Sequence, residues 1–112
     1  MILAQVLGTV VSTRKDRGLL GLRLMLSREV DTQLKPTGNY VVAVDAVGAG
    51  VDEIVLLVAG SSARMTEVSQ DRPVDSVIVG IVDSVAIAGR DVYRKAADRS
   101  PARAGPGTAA GA

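Results

Sequence analysis

The chain has 112 residues and a mass of 11.5 kDa, with 13 basic and 12 acidic side chains, which fits one small domain and excludes a multidomain enzyme. Hydrophobic residues make up 47% and charged residues 22%, ordinary globular usage, so the chain is expected to fold. Cys and His are both absent, which removes disulfides, thiolate nucleophiles, thiolate metal sites and the side chain most often used for proton transfer near neutrality.

The N-terminus, MILAQVLGTVVSTRK, has no basic region ahead of its short apolar stretch, and no apolar run reaches the roughly 18 residues of a membrane span. A cytoplasmic protein without membrane contact is expected. Residues 2–13 alternate Ile2, Ala4, Val6, Gly8 and Val10 against Leu3, Gln5, Leu7, Thr9 and Val11, the period of a strand. A turn is predicted in KDRG at 15–18. A second strand over 21–28 sets Leu22, Leu24 and Leu26 against Arg23, Met25 and Ser27, with one side wet or facing a partner. KPTGN at 35–39 reads as a turn, and YVVAVDAV at 40–47 as a third strand.

Gly48, Ala49 and Gly50 break that run, and 53–60 (EIVLLVAG) reads as a fourth strand. SSARMTEV at 61–68 is the one helical candidate, capped by Ser61 or Ser62 and too short to stand alone. The last apolar stretch, 76–89, carries Val77, Val79, Ile81, Val85 and Ile87 on one face and Ile78, Gly80, Val82 and Ala86 on the other. Five short strands and one short helix predict an all-β fold, a small closed or nearly closed barrel, with a sandwich as the alternative. Tyr40 and Tyr93 are the only aromatic residues, so the core must be aliphatic. A barrel buries only its inward face, and the outward apolar positions on the first, third and fifth strands call for subunit contacts.

The end of the chain differs in kind. Residues 1–89 carry eight basic and ten acidic groups, whereas 90–112 carry five basic and two acidic. From Ser100 the chain is mostly Pro, Gly and Ala, with little to bury. A folded domain over 1–95 followed by a flexible tail over 96–112 is expected.

Chemistry-bearing residues are few. Gly48 and Gly50 begin a dinucleotide-type glycine pattern, but Glu53 stands where a third glycine belongs and the chain downstream reads as strand; a tight turn or close backbone approach is the better reading. Asp45, Asp52, Glu53, Asp75 and Asp83 have no spacing that fixes a metal or an acid–base pair. Asp45 and Asp83 lie within apolar strands, where a carboxylate needs a partner or backbone donors. Ser61 and Ser62 lack a His base. Arg14, Lys15 and Arg17, with Arg90, Arg94, Lys95, Arg99 and Arg103, raise nucleic-acid binding as a rival, yet two aromatic rings make a poor stacking surface.

The ordered segments 4–15 (AQVLGTVVSTRK), 20–26 (LGLRLML), 44–50 (VDAVGAG), 55–64 (VLLVAGSSAR), 73–83 (PVDSVIVGIVD) and 92–95 (VYRK) together resemble the pentameric vertex proteins of bacterial microcompartments, the family of the carboxysome and ethanolamine-compartment vertex proteins. The resemblance covers residues 2–95. It implies an OB-like β-barrel that assembles as a homopentamer at shell vertices, beside hexameric and pseudohexameric shell proteins, with no catalysis and no cofactor, metal, nucleic acid or membrane. It places Gly48, Ala49 and Gly50 near the five-fold axis. Asp45, Arg64 and Asp83, with Lys15 and Arg23, become structural or inter-subunit polar contacts, and Tyr93 an anchor for the chain end.

Overall fold

The computed structural model describes residues 1–95, so the expected tail over 96–112 lies outside the described residues. Strands β1 (Ile2–Val10), β2 (Leu24–Val30), β3 (Pro36–Asp45), β4 (Ile54–Ala59) and β5 (Ser76–Ile81) close into a barrel in the order β1-β2-β3-β5-β4. Neighbours are antiparallel except β3 and β5, which run parallel with Val44 opposite Val77 and Asp45 opposite Ile78. This is an all-β, OB-like barrel. Closure leaves none of these strands with an unpaired edge.

The bore is filled by Ala4, Val6, Met25, Ala43, Val55, Leu57 and Ile78 from the strands and Ala49 from a loop, all buried. Alanines facing larger aliphatics suit a narrow barrel, which has no room for aromatic rings. On β2 the inward residues are Met25 and Ser27, while Leu24 and Leu26 face outward and are half-buried. Ser27 sits opposite Val6 on β1 and Val41 on β3, and its hydroxyl is buried without a hydrogen-bond partner among the described residues.

The outer wall departs from the sequence expectation. Val44 and Val77 point outward, yet they are buried within the same chain against Ala63, with Leu22, Leu24, Val58 and Val74 packed around them. On the third and fifth strands, then, folding itself covers much of the outward apolar surface. Just beyond the end of the first, Val11 is 85% exposed.

The covering segment is not the α-helix predicted over 61–68. It is a 3₁₀ helix, Gly60–Met65, with no side-chain cap from Ser61 or Ser62. Tertiary bonds hold this short stretch: Ser69 Oγ donates to the Ala63 carbonyl, and Arg72 Nη1 donates to the carbonyls of Gly18 and Leu20 at 3.0 and 2.9 Å. The predicted turn at 15–18 is part of a second 3₁₀ turn, Arg17–Leu19, capped by Asp16, which accepts from the Gly18 amide at 2.8 Å.

Two further boundaries moved. The turn expected at 35–39 falls earlier, where Asp31 Oδ1 accepts from the amides of Gln33 and Lys35 at 2.8 and 3.0 Å, and Pro36 opens β3 at a position a strand tolerates. The amide bond from Lys35, then that from Gln33, holds the Asp31 carboxyl below the ordinary aspartate range. Support for this turn is therefore present above that range and is lost as pH falls through the lowered value.

The stretch 76–89 is two strands. The chain leaves the barrel after Val82, whose amide donates to the Ile54 carbonyl at 2.8 Å, and forms a separate hairpin of β6 (Ser84–Ile87) and β7 (Arg90–Arg94). Its two-residue turn, Ala88-Gly89, has φ of 51° and 80°, the conformation that hairpins favour.

Ser27→Ala removes an orphaned buried hydroxyl from the bore and is expected to raise stability by about 1 kcal/mol in a denaturant titration. Gly18→Ala should act oppositely. A Cβ there would stand 2.5 Å from Pro73 Cδ and 2.8 Å from Cγ, and forcing the rigid ring aside should cost about 1–3 kcal/mol by the same measurement.

Candidate functional site

A dense cluster of polar contacts lies where β3 ends. The Asp45 carboxylate is 1% exposed, and its Oδ1 accepts three successive backbone amides, from Val47 and Gly48 at 3.0 Å and Ala49 at 3.1 Å. Three converging N–H groups form a concave anion site, and the chain fills it with its own carboxylate. Oδ2 pairs with the Arg23 guanidinium, which also donates to the Ala49 carbonyl at 2.8 Å. Backbone pairing brings the two side chains together, since the Asp45 amide donates to the Arg23 carbonyl at 2.9 Å.

The far end of the loop is held by a second ion pair. Glu53 Oε1 accepts the Gly50 amide at 2.6 Å, and Oε2 pairs with Lys95 Nζ at 2.6 Å. The Gly50 carbonyl in turn accepts the Glu53 amide at 3.2 Å, and Asp52 donates its amide to Val6 of β1 at 2.7 Å. All four amides from Val47 to Gly50 are thus directed inward onto carboxylates. Gly48, at φ +81°, adopts the left-handed conformation that favours glycine. The loop shows solvent Gly48 together with the exposed side chains of Val47 and Val51, while Ala49 is buried in the bore.

Of the residues singled out from the sequence, Asp45, Arg23, Gly48, Ala49 and Gly50 therefore converge on one site. The others lie elsewhere. Arg64 is exposed at the end of the Gly60–Met65 helix, beside a shallow cleft lined by Asp16, Gly18, Asp71, Arg72 and Pro73. Asp83 is exposed between β5 and β6, where its carbonyl accepts the Lys95 amide at 2.7 Å. Lys15 is exposed in the β1–β2 loop and donates to the Ser12 carbonyl at 2.6 Å. Tyr93 is half-buried in β7, opposite Val85. The role of Glu53 and Lys95 as a second clamp was not read from the sequence. Its signals were a carboxylate three residues past Gly50 and a lysine closing the VYRK segment.

Among the described residues no group of three or more acidic side chains is placed to hold a metal ion. No described helix is long and apolar enough to cross a membrane.

Barrels of this fold occur in proteins of microcompartment shells. Residues 1–83 match the family model described as ethanolamine utilisation protein EutN/carboxysome, and the chain belongs to that family. The carboxysome shell vertex protein CcmL of Synechocystis is 48% identical over 98 residues, 88% of this chain and 98% of the relative. The microcompartment shell vertex protein EutN of Salmonella typhimurium is 44% identical over 95 residues, 85% of this chain and 96% of the relative. The solved structure of the pentameric microcompartment shell protein GrpN from Rhodospirillum rubrum superposes with a TM-score of 0.71 at 45% identity, covering 78% of this chain and all of that one.

Asp45→Ala would leave three amides and a guanidinium without their acceptor. It is expected to cost about 3 kcal/mol in chemical denaturation. Arg23→Ala should cost clearly less, about 1 kcal/mol, because the arginine side chain is 50% exposed and the carboxylate keeps its amide donors.

Proposed function

We propose that this chain is a structural, non-catalytic shell protein whose 1–95 domain forms homopentamers that close the vertices of a bacterial microcompartment, with 96–112 as an appended tail. The observation that carries the proposal is the near-complete coverage of shell vertex relatives at 43–48% identity, together with a pentameric shell protein among the structures that superpose. The physical logic agrees. Flat layers of six-fold tiles cannot close, and a head-to-tail contact that returns to its start after five copies introduces the needed curvature. Hexameric and pseudohexameric shell proteins are the neighbours this role requires.

In this reading Gly48, Ala49 and Gly50 lie near the five-fold axis. The loop suits that position because its amides are spent inward, its central residues 48–50 are small, and clamps at both ends fix its shape. Nucleic-acid binding is disfavoured by the same geometry. Lys95 and Arg94 are engaged with Glu53 and Asp91, and Tyr93 is built into a hairpin, which leaves Tyr40 as the exposed ring.

Light scattering at micromolar concentration should give about five times the 11.5 kDa subunit mass, and a mass near one subunit overturns the proposal. Co-expression with a hexameric shell protein should convert open sheets or tubes into closed polyhedra. Gly50→Leu tests the axis. Within one subunit a Cβ at Gly50 meets nothing closer than Glu53 Oε1 at 3.5 Å, so the melting of the barrel should stay near that of the unmodified chain while the pentamer population falls. A pentamer of unchanged stability would place the loop away from the axis.

A further inference from the structure

We propose that the β6–β7 hairpin acts as a lever on the 48–50 loop, with the Lys95–Glu53 ion pair as the link that carries its position to the Gly50 amide. The lever is a property of one subunit; its bearing on a five-fold axis rests on the ring proposed above. The hairpin is a two-stranded sheet of its own, outside the closed barrel. Its base is sealed where the Lys95 amide, just past β7, donates to the carbonyl of Asp83, just before β6, at 2.7 Å. A two-stranded ribbon has little independent stability in water, so its anchors decide how it is held.

Two anchors of that base land on adjacent residues of the body. Val82 donates its amide to the Ile54 carbonyl at 2.8 Å, and Lys95 donates from Nζ to Glu53 Oε2 at 2.6 Å. Glu53 and Ile54 are also where the loop ends and β4 begins. The backbone there is fixed, because Ile54 is buried and paired with Gln5 of β1, and the Glu53 carbonyl accepts the Val6 amide at 3.0 Å. The Glu53 side chain is the part free to follow. Attachments set side by side resist separation but permit rotation, so a swing of the hairpin shifts the Lys95 ammonium against Glu53 while the barrel ladder stays intact.

The Glu53 carboxylate passes the movement on. Its Oε1 accepts the Gly50 amide at 2.6 Å while Oε2 is held by Lys95, and the two side chains of the pair are only 17% and 21% exposed. Held at both oxygens, a glutamate keeps one rotamer. Released by the ammonium, it regains rotamer freedom, and a largely buried carboxylate that has lost its cation turns toward water and away from Gly50. The other half of the loop is insulated from this event, since the amides of Val47, Gly48 and Ala49 rest on Asp45, whose cation is Arg23. The loop thus has a fixed half on Asp45 and a settable half on Glu53, and the second answers to the hairpin. Contacts that the hairpin makes on assembly would in this way adjust the small residues at the hub.

Amide hydrogen exchange of the full chain, resolved residue by residue, tests the lever. Lys95→Met should speed exchange at Gly50 about tenfold while Val47, Gly48, Ala49 and the barrel strands keep their rates. Gly89→Val acts at the far end of the hairpin from Lys95. It puts a β-branched residue at φ +80° in the turn, where a Cβ meets nothing within 4 Å, so the strain falls on the hairpin alone. It should also speed exchange at Gly50, although Lys95 and Glu53 are both present. Unchanged Gly50 exchange in either variant overturns the proposal, as does a Gly50 amide already unprotected in the unmodified chain. So does an equal acceleration across the whole loop and barrel, which would make the pair an ordinary stabilising contact. The ring and the lever fail separately: a monomeric chain that shows the Gly50 response refutes the ring and keeps the lever, and a ring whose Gly50 amide ignores both variants does the reverse.

Discussion

A single buried carboxylate organises the loop on which the proposed role of this protein depends. Asp45 gathers the amides of Val47, Gly48 and Ala49 onto one oxygen and the Arg23 guanidinium onto the other. Without it, a segment rich in glycine would lose backbone entropy on ordering with little compensation. With it, the loop has one low-energy shape, and that shape is connected to β2 through Arg23 and to the barrel interior through Ala49. Glu53 and Lys95 repeat the device at the other end. The result is a rigid turn made of small residues, a combination in which conformational freedom and compactness would otherwise conflict.

The barrel distributes its apolar surface unevenly. One side of its outer wall is covered by the chain itself, where Val44 and Val77 lie beneath the Gly60–Met65 helix. Further back along β3 the same wall leaves Val42 and Tyr40 open, and Ile87 of the hairpin is also exposed. A small aliphatic domain buries a modest share of its surface alone. Surface left uncovered on two unlike patches, rather than spread evenly, is what a protein stabilised by directional assembly would carry.

The barrel was legible because its signal is the two-residue period of β-branched and aliphatic residues, which depends on local sequence alone. Period two does not state which face is interior. On β2 the alternation left open which side is wet, and it is Met25 and Ser27 that face inward, because strand pairing with Val6 and Val41 fixes the orientation. The 61–68 segment was misread as α-helical because its capping serines are local cues, whereas tertiary bonds from Ser69 and Arg72 decide its path. The hairpin was missed because Ala88-Gly89 lacks the Asn-Gly signature of such turns and the flanking residues continue an apolar run. At the loop, glycines and a lone aspartate in an apolar strand announced a turn that needed donors. The partnership of Asp45 with Arg23, 22 residues earlier, and of Glu53 with Lys95, 42 residues later, follows only from the closed topology.

The plugged bore has a consequence for traffic across a wall built from such tiles. Met25, Leu57 and Ile78 fill the inside of the barrel together with alanines and valines, so no solute can thread a single subunit. Permeability at a corner of the container would be a property of the seams and of the hub where copies meet. It could be altered by changing contacts between protomers while every individual barrel stayed the same.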